Sequence, residues 1–301
     1  MINVSNLLKI GIHDPAQLVY RLEGKFKPDL LFKRYGKLAQ KQGFDRLYVI
    51  LSFDCDSPED IPAAKIIHSY LKKNGLKGTF AVPGHLLKEG AEVYRSLSDG
   101  GADFINHGAL PHVEKRGGRY WSTTFYNDMP VGEVIRDIKE GHKIYNSVIG
   151  HPPIGFRAPH FGTIQNPLLI KSIYNVLQEL KYLYSSSTMP ISGFRFGPVQ
   201  TINGLYEISL SGSYFEPLEI LDSWNNIISP YNPIVKNEYA FQFIQTIEHL
   251  MKLNVSGVLN YYVDPAHVVS SRSFYEAIDF LIQQEIPTLY YDDAIKLREG
   301  S

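Results

Sequence analysis

The run Leu47-Tyr48-Val49-Ile50-Leu51-Ser52 leads directly into Phe53-Asp54-Cys55-Asp56, and that junction limits what the chain can fold into. A short run of apolar, β-favouring residues reads as a buried strand rather than a helix. Buried strands alternating with helical patterns belong to parallel sheets, whose active-site residues gather at the strands' carboxyl ends. Two aspartates at such an end are candidate chemistry.

The rest of the sequence alternates in the same way. Ile61, Ala64, Ile67, Tyr70 and Leu71 predict a helix over 61–73, stopped by Asn74-Gly75. Further strands are predicted over 78–82, 102–105, 154–156, 182–185, 205–210, 257–263 and 288–290. Helices are predicted over 86–98, 131–148, 167–180, 238–253, 273–284 and 293–298. The alternation predicts an α/β fold with a parallel, barrel-like sheet. Residues 1–46 are expected to form an N-terminal cap, in which Lys33 to Lys41 is a solvated helix face, and 47–301 a single barrel domain. A Pro- and Asn-rich insertion at 211–237, holding Trp224 and Tyr231, is expected to be a functional loop or lid.

Composition sets boundaries around function. The 301 residues, 44% hydrophobic, supply a sizeable core. Lys and Arg number 30 against 31 acidic residues, so no global charge favours nucleic acid or an anionic membrane. The single cysteine, Cys55, excludes an internal disulfide and fits a reducing compartment. No stretch approaches the ~18 apolar residues of a transmembrane segment. Met1 to Ile10 lacks the cationic-then-apolar pattern of a leader. A cytoplasmic protein is expected.

Two more blocks follow predicted strands: Asn106-His107-Gly108-Ala109-Leu110-Pro111-His112 and Phe156-Arg157-Ala158-Pro159-His160. One carboxylate and two imidazoles form the three-ligand set of a catalytic zinc, with positions open for water and substrate. Asp56, His107 and His112 can supply it. Asp54 can take a proton from water, and Arg157 can hold Asp54 ionised and aimed. Hydrolysis of an amide or ester follows. Taken singly, each block has a blander origin: Asp-x-Asp caps turns, loop histidines are usually surface groups, and Arg-x-Pro is often structural. Their joint order after successive strands is what converges on one site. His13, His68, His85, His142, His151 and His249 read as structural or surface residues.

With Lys77-Gly78-Thr79-Phe80-Ala81-Val82-Pro83-Gly84 between the first two blocks, roughly residues 47–295 resemble the polysaccharide deacetylase family of carbohydrate esterases. The resemblance implies an irregular (β/α) barrel of about seven parallel strands. It also implies removal of N-acetyl groups from an amino sugar or glycan, in assembly of a cell-surface glycan, with one divalent ion, zinc, as cofactor. By that resemblance Asp54 is the general base, Asp56, His107 and His112 are metal ligands, and Arg157 orients the base. The backbone amide at His160 would help hold the oxyanion.

Three departures stand out. The family spaces its metal histidines four apart, here they are five apart, and a bulge in the loop is expected to absorb the difference. Ser185 occupies the place of the fourth motif's aspartate. Val263-Asp264-Pro265-Ala266-His267 puts Asp264 where the fifth motif has its acid histidine. His267 is expected to serve as acid, the alternative being Asp264 as a carboxylic acid of raised pKa. A platform of Trp121, Tyr126, Trp224 or Tyr231 would favour a sugar. A narrow closed pocket would favour a small cyclic amide, the substrate of a neighbouring branch that shares the Asp-x-Asp form. A noncatalytic glycan-binding protein is the third class. The same ligand set occurs in non-haem iron oxygenases, but those sites usually sit on all-β jelly rolls.

Overall fold

The computed structural model describes residues 15–117, 119–160, 162, 164, 166–228 and 238–300; His13 and Tyr231 lie outside them. The strands are β1 (Leu47–Asp54), β2 (Thr79–Val82), β3 (Asp103–Asn106), β4 (Val113–Arg116), β5 (Arg119–Ser122), β6 (Gly155–Phe156), β7 (Tyr184–Ser185), β8 (Val199–Ile202), β9 (Leu205–Ile208) and β10 (Gly257–Val263). Eight of them form one sheet in the order β10-β1-β2-β3-β6-β7-β9-β8. All neighbours in it run parallel except β8 and β9. Helices cross over between the parallel strands, as Asp60–Lys73 does between β1 and β2. No ladder joins the far end of the sheet to β10 among the described residues. Ser211 N nevertheless donates to the Asn260 carbonyl at 2.8 Å, and Asn260 Nδ2 to the Ile208 and Ser209 carbonyls at 3.2 Å each, so the chain leaving β9 meets β10.

Strand β1 explains why this layout forms. Seven of its eight residues are buried, because both faces are covered, and each large apolar side chain so buried contributes about 1.5–3 kcal/mol. Its register beside β10 runs from Leu47 opposite Gly257 to Phe53 opposite Val263, which brings the segments after Phe53 and Val263 to the same mouth. At the other end, helix Pro28–Lys41 buries Leu31, Phe32, Tyr35, Gly36 and Ala39. Tyr35 donates from its hydroxyl to the Val258 carbonyl near the start of β10, while Lys33, Lys37 and Lys41 face solvent.

Several expectations shift. The strand expected at 288–290 is only a single bridge from Thr288 to Val49, since β2 pairs with β1 from Ser52 onward. The helix expected at 86–98 is two helices, Gly84–Glu89 and Ala91–Asp99. They meet at Gly90, where a Cβ would lie 2.8 Å from Ile61 Cγ2. The β4–β5 hairpin, helix Pro190–Phe196 and antiparallel β8 were not evident from periodicity. No helix among the described residues is long and apolar enough to cross a membrane.

Candidate metal centre

Each candidate residue follows the carboxyl end of a parallel strand. Asp54 closes β1 and is buried. The next turn is folded by Asp60, whose Oδ2 accepts from Asp56 N at 3.0 Å, Ser57 N at 2.8 Å and Ser57 Oγ at 2.8 Å. Its Oδ1 accepts from Ala266 N at 2.7 Å, tying the loop after β1 to the loop after β10. Burial raises the Asp60 pKa to about 7. Asp60 had no place in the sequence-derived site; its only signal was an acidic residue in the first turn of a helix.

His107 follows β3. Its Nδ1–H donates to the Arg157 carbonyl at 2.7 Å, the tautomer set by that acceptor. Nε2 is thereby left as a lone pair, 3.7 Å from both Asp54 Oδ2 and Asp56 Oδ1. The loop to His112 is shaped by Gly108, at φ +81°, where any Cβ would collide with the Asp137 carboxylate. Asp137 Oδ1 accepts from Ala109 N at 3.0 Å and Leu110 N at 2.8 Å. This stitching absorbs the five-residue spacing. The rings of His107 and His112 sit 4.3 Å apart and perpendicular, and His112 Nδ1 is 3.0 Å from Asp56 Oδ1.

One ligand atom each from Asp56, His107 and His112 lies within 4.8 Å of the others. The donor set fits a divalent ion. His112 Nε2 is buried without a partner, and the His107 lone pair points into a group of carboxylates, an arrangement that a shared cation would complete.

Arg157 follows β6 and is fully buried. It donates through Nη1 to Asp54, through Nη2 to Ser52 Oγ (3.0 Å) and Ser186 Oγ (3.2 Å), and through Nε to the Ser186 carbonyl (3.2 Å). Burial nonetheless outweighs this cation and raises the Asp54 pKa to about 6. His160 takes a left-handed backbone at φ +45°, and its Nε2–H donates to the Thr123 carbonyl at 2.7 Å. Its ring stacks on Phe125 at 4.5 Å.

The acid side of the mouth is built after β10. Asp264 is buried, its Oδ1 has no partner, and its Oδ2 lies 3.6 Å from His267 Nδ1. Burial, with the nearby carboxylates of Asp56, Asp60, Asp54 and Asp222, drives its pKa well up. Burial pulls His267 down to about 4; its Nδ1 lies 3.1 Å from Ser223 Oγ, and Trp224 meets its ring edge-on at 4.8 Å. The described part of the 211–237 insertion, residues 211–228, thus reaches the mouth. Tyr126 is no stacking platform: it is fully buried and donates to Asp137 Oδ2 at 2.5 Å. Trp121 is exposed on β5.

The carboxylate absent at Ser185 has a neighbour in Glu207 of β9, paired in register with Ser185 and fully buried. It accepts from Ser187 N (2.7 Å), Thr188 Oγ1 (3.0 Å) and Tyr174 OH (2.6 Å). A glutamate among apolar residues in a short strand was the available signal.

Residues 41–181 match the family model described as polysaccharide deacetylase. Over that segment the chain is similar to the polysaccharide deacetylase family. Among solved structures, the chain is similar to a provisionally assigned polysaccharide deacetylase from Mycobacterium smegmatis, at TM-score 0.61 and 16% identity, over 86% of this chain and 92% of that one. It is also similar to the polysaccharide deacetylase Bc1974 from Bacillus cereus, at TM-score 0.51 and 16% identity, over 82% and 94%. At such identity the likeness establishes the deacetylase fold. No curated protein matches the sequence.

Proposed function

We propose that the chain is a metal-dependent hydrolase that removes an N-acetyl group from an amino sugar in a cell-surface glycan. The observation that carries this is a buried Asp54, held by Arg157, beside the Asp56–His107–His112 cluster. Those three residues would hold the ion, and two imidazoles with one carboxylate favour zinc. When bound, it would polarise the acyl carbonyl and acidify water.

The chain's own residues carry the protons. Asp54 takes one from the attacking water, and a pKa near 6 suits a base at neutral pH. Arg157 keeps that carboxylate aimed, and the backbone at His160 is placed to help hold the oxyanion. The leaving amine needs a proton, and Asp264 suits that role better than His267. Burial and the neighbouring carboxylates push Asp264, with its unpartnered Oδ1, towards the protonated form, whereas His267 is pulled down to about 4. His267 then positions Asp264.

An open groove of about 610 Å³ borders Asp56 and includes His85, Leu110, Pro111, Tyr120 and Thr124. Its openness favours part of a glycan over a small cyclic amide, which a closed pocket would engulf. The test is metal content together with acetate release from an oligomer of N-acetylglucosamine. Asp54→Asn should keep its ion and lose about 10²-fold or more in turnover, while His107→Ala should lose both. Full activity in metal-replete Asp54→Asn would remove Asp54 as base.

A further inference from the structure

The groove beside the metal centre has a wall that the catalytic scheme does not use. Strand β2 ends at Val82, and the following turn is locked to the ligand loop. Gly84 N donates to the Gly108 carbonyl at 2.8 Å, and His85 N donates to the Ala109 carbonyl at 3.0 Å. A Cβ at Gly84 would lie 2.6 Å from Ile144 Cδ1, so the backbone there is packed without slack. His85 is therefore held in place relative to the loop carrying His107 and His112.

Its side chain lines the groove that also includes Asp56. The ring's Nδ1 is buried against the protein without a hydrogen bond of good geometry, and the Ala109 carbonyl lies close to the ring. Nε2 is not enclosed in that way, and no protein group among the described residues bonds it. A half-buried imidazole in the first turn of helix Gly84–Glu89, with one ring nitrogen open to the groove, is placed to meet a ligand there. Three other groove residues, Lys115, Tyr120 and Thr124, are already committed, to Glu59, to Glu59 and to the Pro111 carbonyl.

We propose that His85 is a substrate-positioning residue, which binds a hydroxyl of the sugar lying in the groove next to the metal centre. A hydroxyl both donates and accepts, so it pairs with either tautomer of a neutral imidazole, and a sugar ring supplies several. The inference rests on the deacetylase reading only for the choice of a sugar. His85 would act on binding and not on the chemical step.

The probe is the β-1,4-linked tetramer of N-acetylglucosamine, with affinity measured by calorimetry on the metal-loaded protein and on His85→Ala and His85→Gln. Metal content and thermal unfolding are recorded alongside. His85→Ala should bind the tetramer about tenfold more weakly, a loss of roughly 1.4 kcal/mol, with its ion retained. His85→Gln, whose amide reaches the place of Nε2, should recover most of that affinity. Equal affinity in His85→Ala and the native protein overturns the inference. So does failure of the native protein to bind the tetramer, or weakening that accompanies loss of the ion. Binding that depends on His85 but releases no acetate sustains the inference and overturns the deacetylase reading instead.

Discussion

Two buried polar clusters share the mouth of the sheet, and they are finished to different degrees. Around Arg157 every side-chain nitrogen has a partner, and the Tyr291 hydroxyl that joins the cluster donates onward to Asn260 Oδ1 at 2.9 Å. Around Asp264, one carboxylate oxygen is buried with nothing to bond. A buried unsatisfied polar group costs about 1–3 kcal/mol, so a fold retains one chiefly where a ligand completes it. The first cluster is scaffold, which fixes Asp54 before substrate arrives. The second is an incomplete arrangement that substrate would finish.

The largest expected effect breaks the finished cluster. Arg157→Met keeps the volume but strands a buried carboxylate and several acceptors, and should cost about 3–5 kcal/mol in denaturant unfolding. A cost below about 1 kcal/mol would show that the network is not holding the fold. Asp264→Asn should behave in the opposite way. Stability should stay within about 1 kcal/mol, because no hydrogen bond to the fold is lost, while turnover falls by about 10². The pH profile separates the two carboxyls. As the proposed base Asp54 works ionised, so kcat/KM of the native protein should rise as pH passes about 6. As the proposed acid Asp264 works protonated, so the rate should fall again where it ionises. Asp264→Asn should erase the alkaline fall and leave the acid limb; an unchanged alkaline limb would move the acid role to His267.

The same contrast marks what was legible in the sequence. Asp54, Asp56, His107 and Arg157 are local signals, each within two residues of a strand's carboxyl end, so strand pattern and motif located them together. The groups that complete them are not local. Asp137 shapes the His107–His112 loop from the helix Val131–Ile149, and Asp60 ties its own loop to Ala266, far along the chain. Periodicity carries no information about such contacts. The β4–β5 hairpin was missed for a related reason, since Glu114, Lys115 and Arg116 are all exposed and leave no two-residue alternation to read. His85 was set aside because a lone histidine has meaning only once its groove is visible.

The smallest effect concerns Ser185, which stands where the family's fourth motif has an aspartate. Ser185 and Glu207 are partners in register on neighbouring parallel strands, and both are buried. Ser185 Oγ donates to Ser187 Oγ at 2.9 Å, and Ser187 Oγ accepts from Ala158 N at 2.9 Å, directly after Arg157. Ser185→Asp would set a second carboxylate beside Glu207 in a space where the described donors are already engaged. Like charges sharing a buried site force one to stay protonated, so the substitution should cost about 1–3 kcal/mol. Combined with Glu207→Gln, much of that loss should return, because the repulsion rather than the lost hydroxyl causes it. Thermal unfolding of both single variants and the double variant gives the coupling directly. Strict additivity would mean that Glu207 does not exclude an aspartate from this strand, and the departure at position 185 would then need another cause.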